Sequence, residues 1–380
     1  MARKYKTDCK LFDGYKPCKY KRDNCKSCPY YLPRGKMILL INLDALGDVL
    51  MTTAVLKPIK RKYPVSTIYW VTENAAIPLI ENNPFIDRIM PFNFETYLIL
   101  KNLKFDLVLN ADKSQRAASF AMEMNAKVKK GFKINRQGAI IPFNKEAYYN
   151  YELGLNDNLK FKINKKTGQQ ILAETFGLEY RRDEYILVLS EKQKEFLKKY
   201  KSENNIQEKD IIIGFNTGCA ELYPNKKLNI EHIVTLINWI HRDFPYIKIA
   251  LFGGKAETER NKKIEALLNF PIINTPTTLG LRTGIALMDI ADIIVTGDTL
   301  GMHIGIALKK EIVAWFNVSC AQEIDLYDRG EKIISDVHCS PCWKKECDTL
   351  ICIKNINLDA IYEAIKREIE KVKKIKNINN

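Results

Sequence analysis

This sequence predicts two α/β domains, each a doubly wound parallel sheet, on three observations. Near-continuous apolar runs such as Met37-Ile-Leu-Leu-Ile-Asn-Leu43 and Ile293-Ile-Val295 are the signature of strands buried on both faces. Each run is followed by a short polar or glycine-bearing turn and then by a stretch with helical spacing. The rhythm occurs in both halves of the chain, on either side of a polar, lysine-rich stretch at 144–166. A length of 380 residues fits two such domains.

Residues 1–35 are a basic, aromatic, cysteine-bearing segment with little periodicity. The first domain is expected at 36–182. It opens with the strand at 37–43 and a turn at 44–47. A helix follows at 49–63, with Leu50, Ala54, Leu56 and Ile59 inward and Lys60, Arg61 and Lys62 in the last turn, where cations suit the dipole. Pro58 predicts a kink in that helix. Further strands fall at 67–71 and 105–109, and a helix at 167–176 stops at Gly177. The boundary falls near Arg181-Arg-Asp183. The second domain, 183–356, has strands at 211–215, 247–252, 293–295 and 312–316, and helices at 230–244, 281–291 and 302–308. Residues 357–380 are expected to form a basic terminal helix and tail, amphipathic over 358–374. No repeat of fixed period is present.

No apolar run approaches the ~18 residues of a membrane span. The basic start is not followed by an apolar signal core, so a cytoplasmic protein is expected. The formal net charge is +15, with Lys and Arg crowded into the first 36 and last 27 residues. Such a surface favours nucleic acid, anionic lipid headgroups or phosphorylated sugars. A compositional lysine bias is the plain alternative. Eight of the ten cysteines fall in two quartets, Cys9, Cys18, Cys25, Cys28 and Cys339, Cys342, Cys347, Cys352. In a reducing compartment, clustered thiols point to metal before disulfides. Cys25 and Cys28 form a chelating pair that Cys9 and Cys18 complete to a four-thiolate zinc site. The second quartet could hold zinc or an iron–sulfur cluster, although its spacing matches no standard cluster. Reduced thiols are the alternative for both.

Ligands of open parallel sheets bind beyond the carboxyl ends of the strands. Four turns are therefore candidates: 44–48, 216–219, 253–257 and 297–303. None carries G-x-G-x-x-G or a Walker loop, which removes support for a Rossmann dinucleotide cofactor and for P-loop phosphoryl transfer. Gly297-Asp-Thr-Leu-Gly-Met-His303 reads as strand, turn and helix start, and a helix N-terminus suits a phosphate. Asp298 is equally readable as a plain cap and His303 as a packed first-turn residue. Asp48, after Gly47, is either a cap or a general base for a sugar hydroxyl. Lys226 and Lys227 are surface lysines or neutralise a leaving phosphate. Glu257 is a solvated helix start or an acceptor for ribose hydroxyls.

Together these turns resemble glycosyltransferase family 9, the heptosyltransferases of lipopolysaccharide synthesis. Leu43-Asp-Ala-Leu-Gly-Asp-Val-Leu-Met-Thr-Thr53 resembles the family's S-x-L-G-D-x-x-x-T signature. Gly214-Phe-Asn-Thr-Gly218 with Tyr223-Pro-Asn-Lys-Lys227 resembles its N-x-G … W-P-x-K-x-W segment, and Gly297 to His303 its D-T-G-x-x-H motif. Gln322-Glu-Ile-Asp-Leu-Tyr and Cys339-Ser-Pro-Cys342 are also similar to members. The similarity runs from about Met37 to Ile356. Asp44 stands where Ser is usual, Leu300 replaces a glycine with Gly301 one place later, and Tyr223 and Leu228 replace two tryptophans.

The resemblance implies a GT-B fold, two Rossmann-like domains facing across a cleft, with acceptor on the first and nucleoside-diphosphate sugar on the second. It implies Asp48 as general base, with Gly47 and Thr52 on the acceptor side. On the donor side it implies Asn216, Thr217, Gly218, Lys226, Glu257, Asp298, Thr299, Gly301 and His303. The implied reaction is inverting, metal-independent transfer of a sugar to a lipopolysaccharide-core, lipid-linked or phosphorylated glycan precursor. The implied sugar is heptose from an ADP-heptose-like donor, with no cofactor required. The sequence has no Asp-x-Asp motif. The rivals are a nucleotide-sugar epimerase of the same architecture and a zinc-bearing nucleic-acid-binding protein. Nucleic acid is not expected, because the basic residues crowd the ends and the turns match sugar-transfer motifs. Peripheral contact with an anionic inner membrane face is expected through the basic N-terminal segment and residues 358–374.

Overall fold

The structure is a computed structural model and describes residues 4–21 and 24–378. Met1–Arg3, Arg22, Asp23, Asn379 and Asn380, which the expected terminal segments include, lie outside the described residues. The chain forms two compact units. The first comprises Met1–Ile77, Asn83–Leu155 and Gln169–Asp183; the second comprises Pro78–Asn82, Asn156–Gly168 and Glu184–Asn380. The break after Asp183 lies beside the expected boundary. Residues 78–82 and 156–168, expected in the first domain, belong to the second unit.

The first unit contains β1 (Lys36–Ile41), β2 (Ser66–Thr72), β3 (Arg88–Pro91), β4 (Phe105–Asn110), β5 (Ala126–Ile134) and β6 (Ile140–Pro142). They lie in the order β3-β2-β1-β4-β5-β6, all pairs parallel except β5 with β6. Every residue of β2 is buried, as are Ile38 to Ile41 of β1, so the sheet's centre is covered on both faces. The core includes Leu39, Ile41, Val71, Phe105, Val108 and Phe120.

The helix expected at 49–63 is broken. Helix α1 (Leu46–Thr52) starts earlier, a 3₁₀ turn spans Thr53–Val55, and α2 (Leu56–Lys62) follows. Pro58 explains the break: it has no N–H to give to the Ala54 carbonyl, and its ring crowds that carbonyl. The earlier start brings Asp48 into the first turn of α1. Helix α3 (Gln115–Glu123) follows β4 and is capped by Ser114.

The second unit repeats the plan with β7 (Ile212–Asn216), β8 (Lys248–Phe252), β9 (Ile273–Asn274), β10 (Ile293–Gly297), β11 (Glu311–Phe316) and β12 (Gly330–Ile334). Their order, β12-β11-β10-β7-β8-β9, is the same topology as the first sheet, here wholly parallel. Helices α4 (Ile230–Asp243), α5 (Leu281–Met288), α6 (Leu300–Ala307) and α7 (Leu358–Ile375) flank it. In both sheets the strand order reverses, between β1 and β4 and between β7 and β10. Such reversals open crevices at the carboxyl ends of the strands.

The terminal helix corrects one expectation. Leu358–Ile375 is not a separate tail: Ile361, Ile365, Ile369 and Val372 of α7 belong to the second unit's core. The amphipathic pattern is real, but this apolar stripe is spent on the protein's own sheet and is not available to a membrane. Among the described residues no helix is long and apolar enough to cross a membrane.

Candidate active site

Each unit carries a group of polar residues where its strand order reverses. In the second unit the organiser is Asn216, the last residue of β7. Its amide donates to Gly218 O at 3.1 Å, Thr296 Oγ1 at 3.1 Å and Thr299 Oγ1 at 3.0 Å. One side chain thereby ties the loop after β7 to the loop after β10. Gly301 permits this closeness, because a Cβ there would stand 2.5 Å from the Asn216 amide carbon. Gly297 serves likewise, since a Cβ would meet the Lys226 carbonyl oxygen at 2.2 Å.

Thr299 stands at the N-cap of α6, but its side chain makes no capping bond. Asp298 is not the cap. It pairs with Lys226 at 2.7 Å, with 12% of the lysine side chain and 11% of the aspartate exposed. Burial pushes the Asp298 carboxyl up, yet the Lys226 ammonium and, after it, His303 outweigh it and hold it below the usual carboxylate range. The ammonium of Lys226 also lies 4.8 Å from the Trp343 ring centroid and 5.3 Å from that of Tyr223. A cation is thus fixed between a carboxylate and two aromatic faces.

His303 is buried in the first turn of α6. Burial lowers its proton affinity to a pKa of about 4, against a partial rise from Asp298, so the ring is neutral at pH 7. Its Nδ1 is 3.2 Å from the Tyr185 hydroxyl, and its Nε2 is 4.0 Å from Asp298 Oδ1. Thr217 is turned inward: its hydroxyl donates to Asn261 Oδ1 at 2.5 Å. Glu257 is buried rather than solvated. Its carboxylate accepts from the Gly254 N–H at 2.9 Å, and a Cβ on Gly218 would stand 2.5 Å from its Oε1.

In the first unit, Asp48 is exposed in the first turn of α1, with Gly47 partly exposed before it. Helix α1 has Ala45 at its N-cap and no side-chain cap, so Asp48 is not the cap residue. Thr52 is buried on the inner face of α1. Asp44 pairs with Arg116 of α3, which also donates to Glu73 at 2.6 Å. The Asp112 carboxylate holds the turn by accepting from Asn42 Nδ2 at 2.6 Å, from the Leu43 N–H, and from the Asp44 N–H at 3.3 Å.

Sequence reasoning missed Asp112, Arg116, Tyr185 and Trp343. The signal for Asp112 and Arg116 was the turn after the strand at 105–109, to which the same strand-end rule applies. Trp343 lies in an irregular cysteine-rich stretch, where no periodicity marks it. That stretch is bound to the loop after β11, with the Trp343 backbone N–H donating to Val318 O at 2.9 Å.

All ten cysteines are free thiols. Cys9, Cys18, Cys25 and Cys28 line one small cavity, together with residues such as Phe12 and Tyr31. Cys352 is buried; burial, reinforced by Cys339, Cys342 and Cys347, raises its thiol. Among the described residues no three His, Cys, Asp or Glu side chains converge in a geometry that would hold a metal ion.

The sequence model of glycosyltransferase family 9 (heptosyltransferase) matches residues 98–352. The lipopolysaccharide core heptosyltransferase OpsX of Haemophilus influenzae is 24% identical over 317 residues, which cover 81% of this chain and 86% of that protein. The crystal structure of the family 9 glycosyl transferase from Veillonella parvula superposes with a TM-score of 0.69 at 18% identity, covering 88% of this chain and 98% of that one. The ADP-heptose lipopolysaccharide heptosyltransferase II of E. coli gives a TM-score of 0.65 at 18% identity, covering 89% and 99%. With a family match over more than half its length and two doubly wound units of the GT-B kind, this chain belongs to glycosyltransferase family 9 and is a glycosyltransferase.

Proposed function

We propose that this enzyme transfers heptose from ADP-heptose to a growing lipopolysaccharide core, with inversion and without a divalent metal. The observation that carries this reading is the buried Lys226–Asp298 pair beside the N-terminus of α6, which no side chain caps. In inverting transfer the acceptor oxygen attacks the anomeric carbon, the bond from that carbon to the diphosphate breaks, and the acceptor proton goes to a base. Asp48 is the base in this reading: it is exposed, and it stands where the strand order of the first unit reverses. The departing diphosphate gains negative charge. Lys226 and the first-turn N–H groups of α6 would stabilise it, so the counter-charge comes from the protein. His303, being neutral, can hydrogen-bond the donor without altering the local charge. Asn216, Thr299 and Gly301 shape the loop pair, while Thr217, Gly218 and Glu257 support it from behind.

The donor assignment draws on the OpsX and E. coli relatives, whose names give the lipopolysaccharide core and ADP-heptose. A thermal-shift panel of ADP-, GDP-, UDP- and CMP-linked sugars tests it, because a ligand specific for the native state raises the melting temperature. ADP-heptose should give the largest shift; a larger shift from another nucleotide sugar removes the assignment.

Two finer points belong to the same reading. The protein works in the cytoplasm against the anionic inner face of the membrane, held by its N-terminal segment. Support comes from the net charge of +15 and from Tyr5, Tyr15, Tyr20, Tyr30 and Leu32, all exposed among the lysines of that segment. Salt-sensitive flotation with anionic vesicles and none with neutral vesicles is expected; equal behaviour with both excludes it. The first cysteine quartet takes a structural zinc. Its support is the shared cavity, in a segment where Cys9 is the only buried apolar residue among those described. The thiols do not converge as they stand, so binding would have to draw them inward.

A further inference from the structure

Asp112 lies just after β4, the strand that adjoins β1 where the first sheet reverses its order. It is 8% exposed. Its backbone is locked by Asn110, whose Oδ1 accepts from the Asp112 N–H at 3.1 Å and whose Nδ2 donates to the Asp112 carbonyl at 3.1 Å. Asn110 is held in turn by Phe132 O at 2.8 Å from its Nδ2. A carboxylate on a rigid strand end therefore reaches across to the turn that leads into α1, and engages Asn42, Leu43 and Asp44 together.

That turn needs a holder. Ala45 has φ +51°, in the left-handed region that a residue with a Cβ adopts at a cost. No side chain caps α1. A buried carboxylate is, however, an expensive holder. The charged groups that face it are Asp44 and Asp48, which repel it, and Arg116, which is already engaged with Asp44 and Glu73. Asparagine could not replace it: three donors converge on the two oxygens, and an amide would turn its own N–H₂ against one of them.

We propose that Asp112 is a positioning residue for sugar transfer, a buried carboxylate that fixes the turn presenting Asp48 to the acceptor. The proposal rests on Asp48 being the base. Burial, with the charges of Asp44 and Asp48 added, outweighs the hydrogen bonds from Leu43 and Asn42 and pushes the Asp112 carboxyl up to about 7. Asp112 thus gains its charge across neutral pH, and turnover should rise with it.

The test uses the full-length protein, ADP-heptose and a heptose-free lipopolysaccharide core. It measures kcat against pH for the wild type, Asp112→Asn and Asn42→Ala. Hydrogen–deuterium exchange over residues 42–49 is followed without substrate. The wild type should show an inflection near pH 7. Asp112→Asn should remove it and lower kcat about 10²-fold, the scale of a misplaced catalytic group, with donor KM unchanged. Asn42→Ala, which removes one donor to the carboxylate, should move the inflection to higher pH; it carries the test if Asp112→Asn does not fold. Exchange at Leu43 and Asp44 should accelerate in Asp112→Asn. An unchanged profile in these variants, with Asp48→Asn inactive, overturns the role of Asp112 and leaves the base in place. An active Asp48→Asn removes the base; exchange then decides, and unchanged protection at Leu43 and Asp44 overturns the clamp as well.

Discussion

Lys226, in the 3₁₀ turn Pro224–Lys226, and Asp298, directly after β10, stand 2.7 Å apart, Nζ to Oδ2. Breaking a pair so deeply placed strands one charge in a poor solvent. Lys226→Met or Asp298→Asn alone should each cost about 3 kcal/mol or more in urea denaturation. The double variant should recover most of that loss but not donor binding. If donor binding returns with stability, the pair is structural only.

Gly301 and Gly284 form a matched comparison. A Cβ on Gly301 would lie 2.5 Å from the Asn216 amide carbon, whereas a Cβ on Gly284 in α5 meets nothing within 4 Å. The Asn216 amide has three acceptors and cannot swing away without losing them. Gly301→Ala should destabilise by about 1–3 kcal/mol and weaken the donor-induced thermal shift. Gly284→Ala should be neutral or stabilising by up to about 1 kcal/mol. Equal effects of the two would show that the contact at Gly301 relaxes freely.

The strands that position these groups were legible, and the reason is burial. β1, β4, β7, β10 and β11 lie inside their sheets with a strand on either side, covered on both faces, so their sequences are apolar runs. β5 was not legible: Ala126-Lys-Val-Lys-Lys-Gly-Phe-Lys-Ile134 buries only Gly131 and Phe132, and its pattern reads as surface. β12 is an edge strand of partly exposed residues and was equally hidden. For α7 the amphipathic stripe was visible, but a stripe says that something covers it, not what. Asp298 showed the limit at the site. Its position near a helix start suggested a cap, and only the structure brings Lys226, 72 residues distant in sequence, against it.

Glu311 on β11 and Glu368 on α7 provide a pH-dependent element away from the site. Burial, a hydrogen bond to Glu368 and the charge of Glu368 raise the Glu311 carboxyl to about 7. A carboxyl raised on folding contributes stability that is complete below its unfolded value and is lost as pH rises through about 7. Glu311→Gln, which carries its donor at every pH, should therefore raise the melting temperature at pH 8 by about 2–4 °C and change little at pH 5. A gain of the same size at both pH values would show that no proton is shared.

Zinc in the first cysteine quartet is decided by elemental analysis of anaerobically purified protein. About one zinc per chain is expected, lost together with Cys25→Ser and Cys28→Ser. Absence of zinc in the wild type refutes it.

The most direct test of sugar transfer itself is mass spectrometry of a heptose-free lipopolysaccharide core incubated with the purified enzyme and ADP-heptose. If the enzyme transfers heptose with Asp48 as base, the acceptor becomes heavier by one heptose residue, ADP is released in equal amount, and the product is absent when Asp48→Asn replaces the wild type. Turnover of the nucleotide sugar without acceptor, or product formed by Asp48→Asn at the wild-type rate, would contradict that reading.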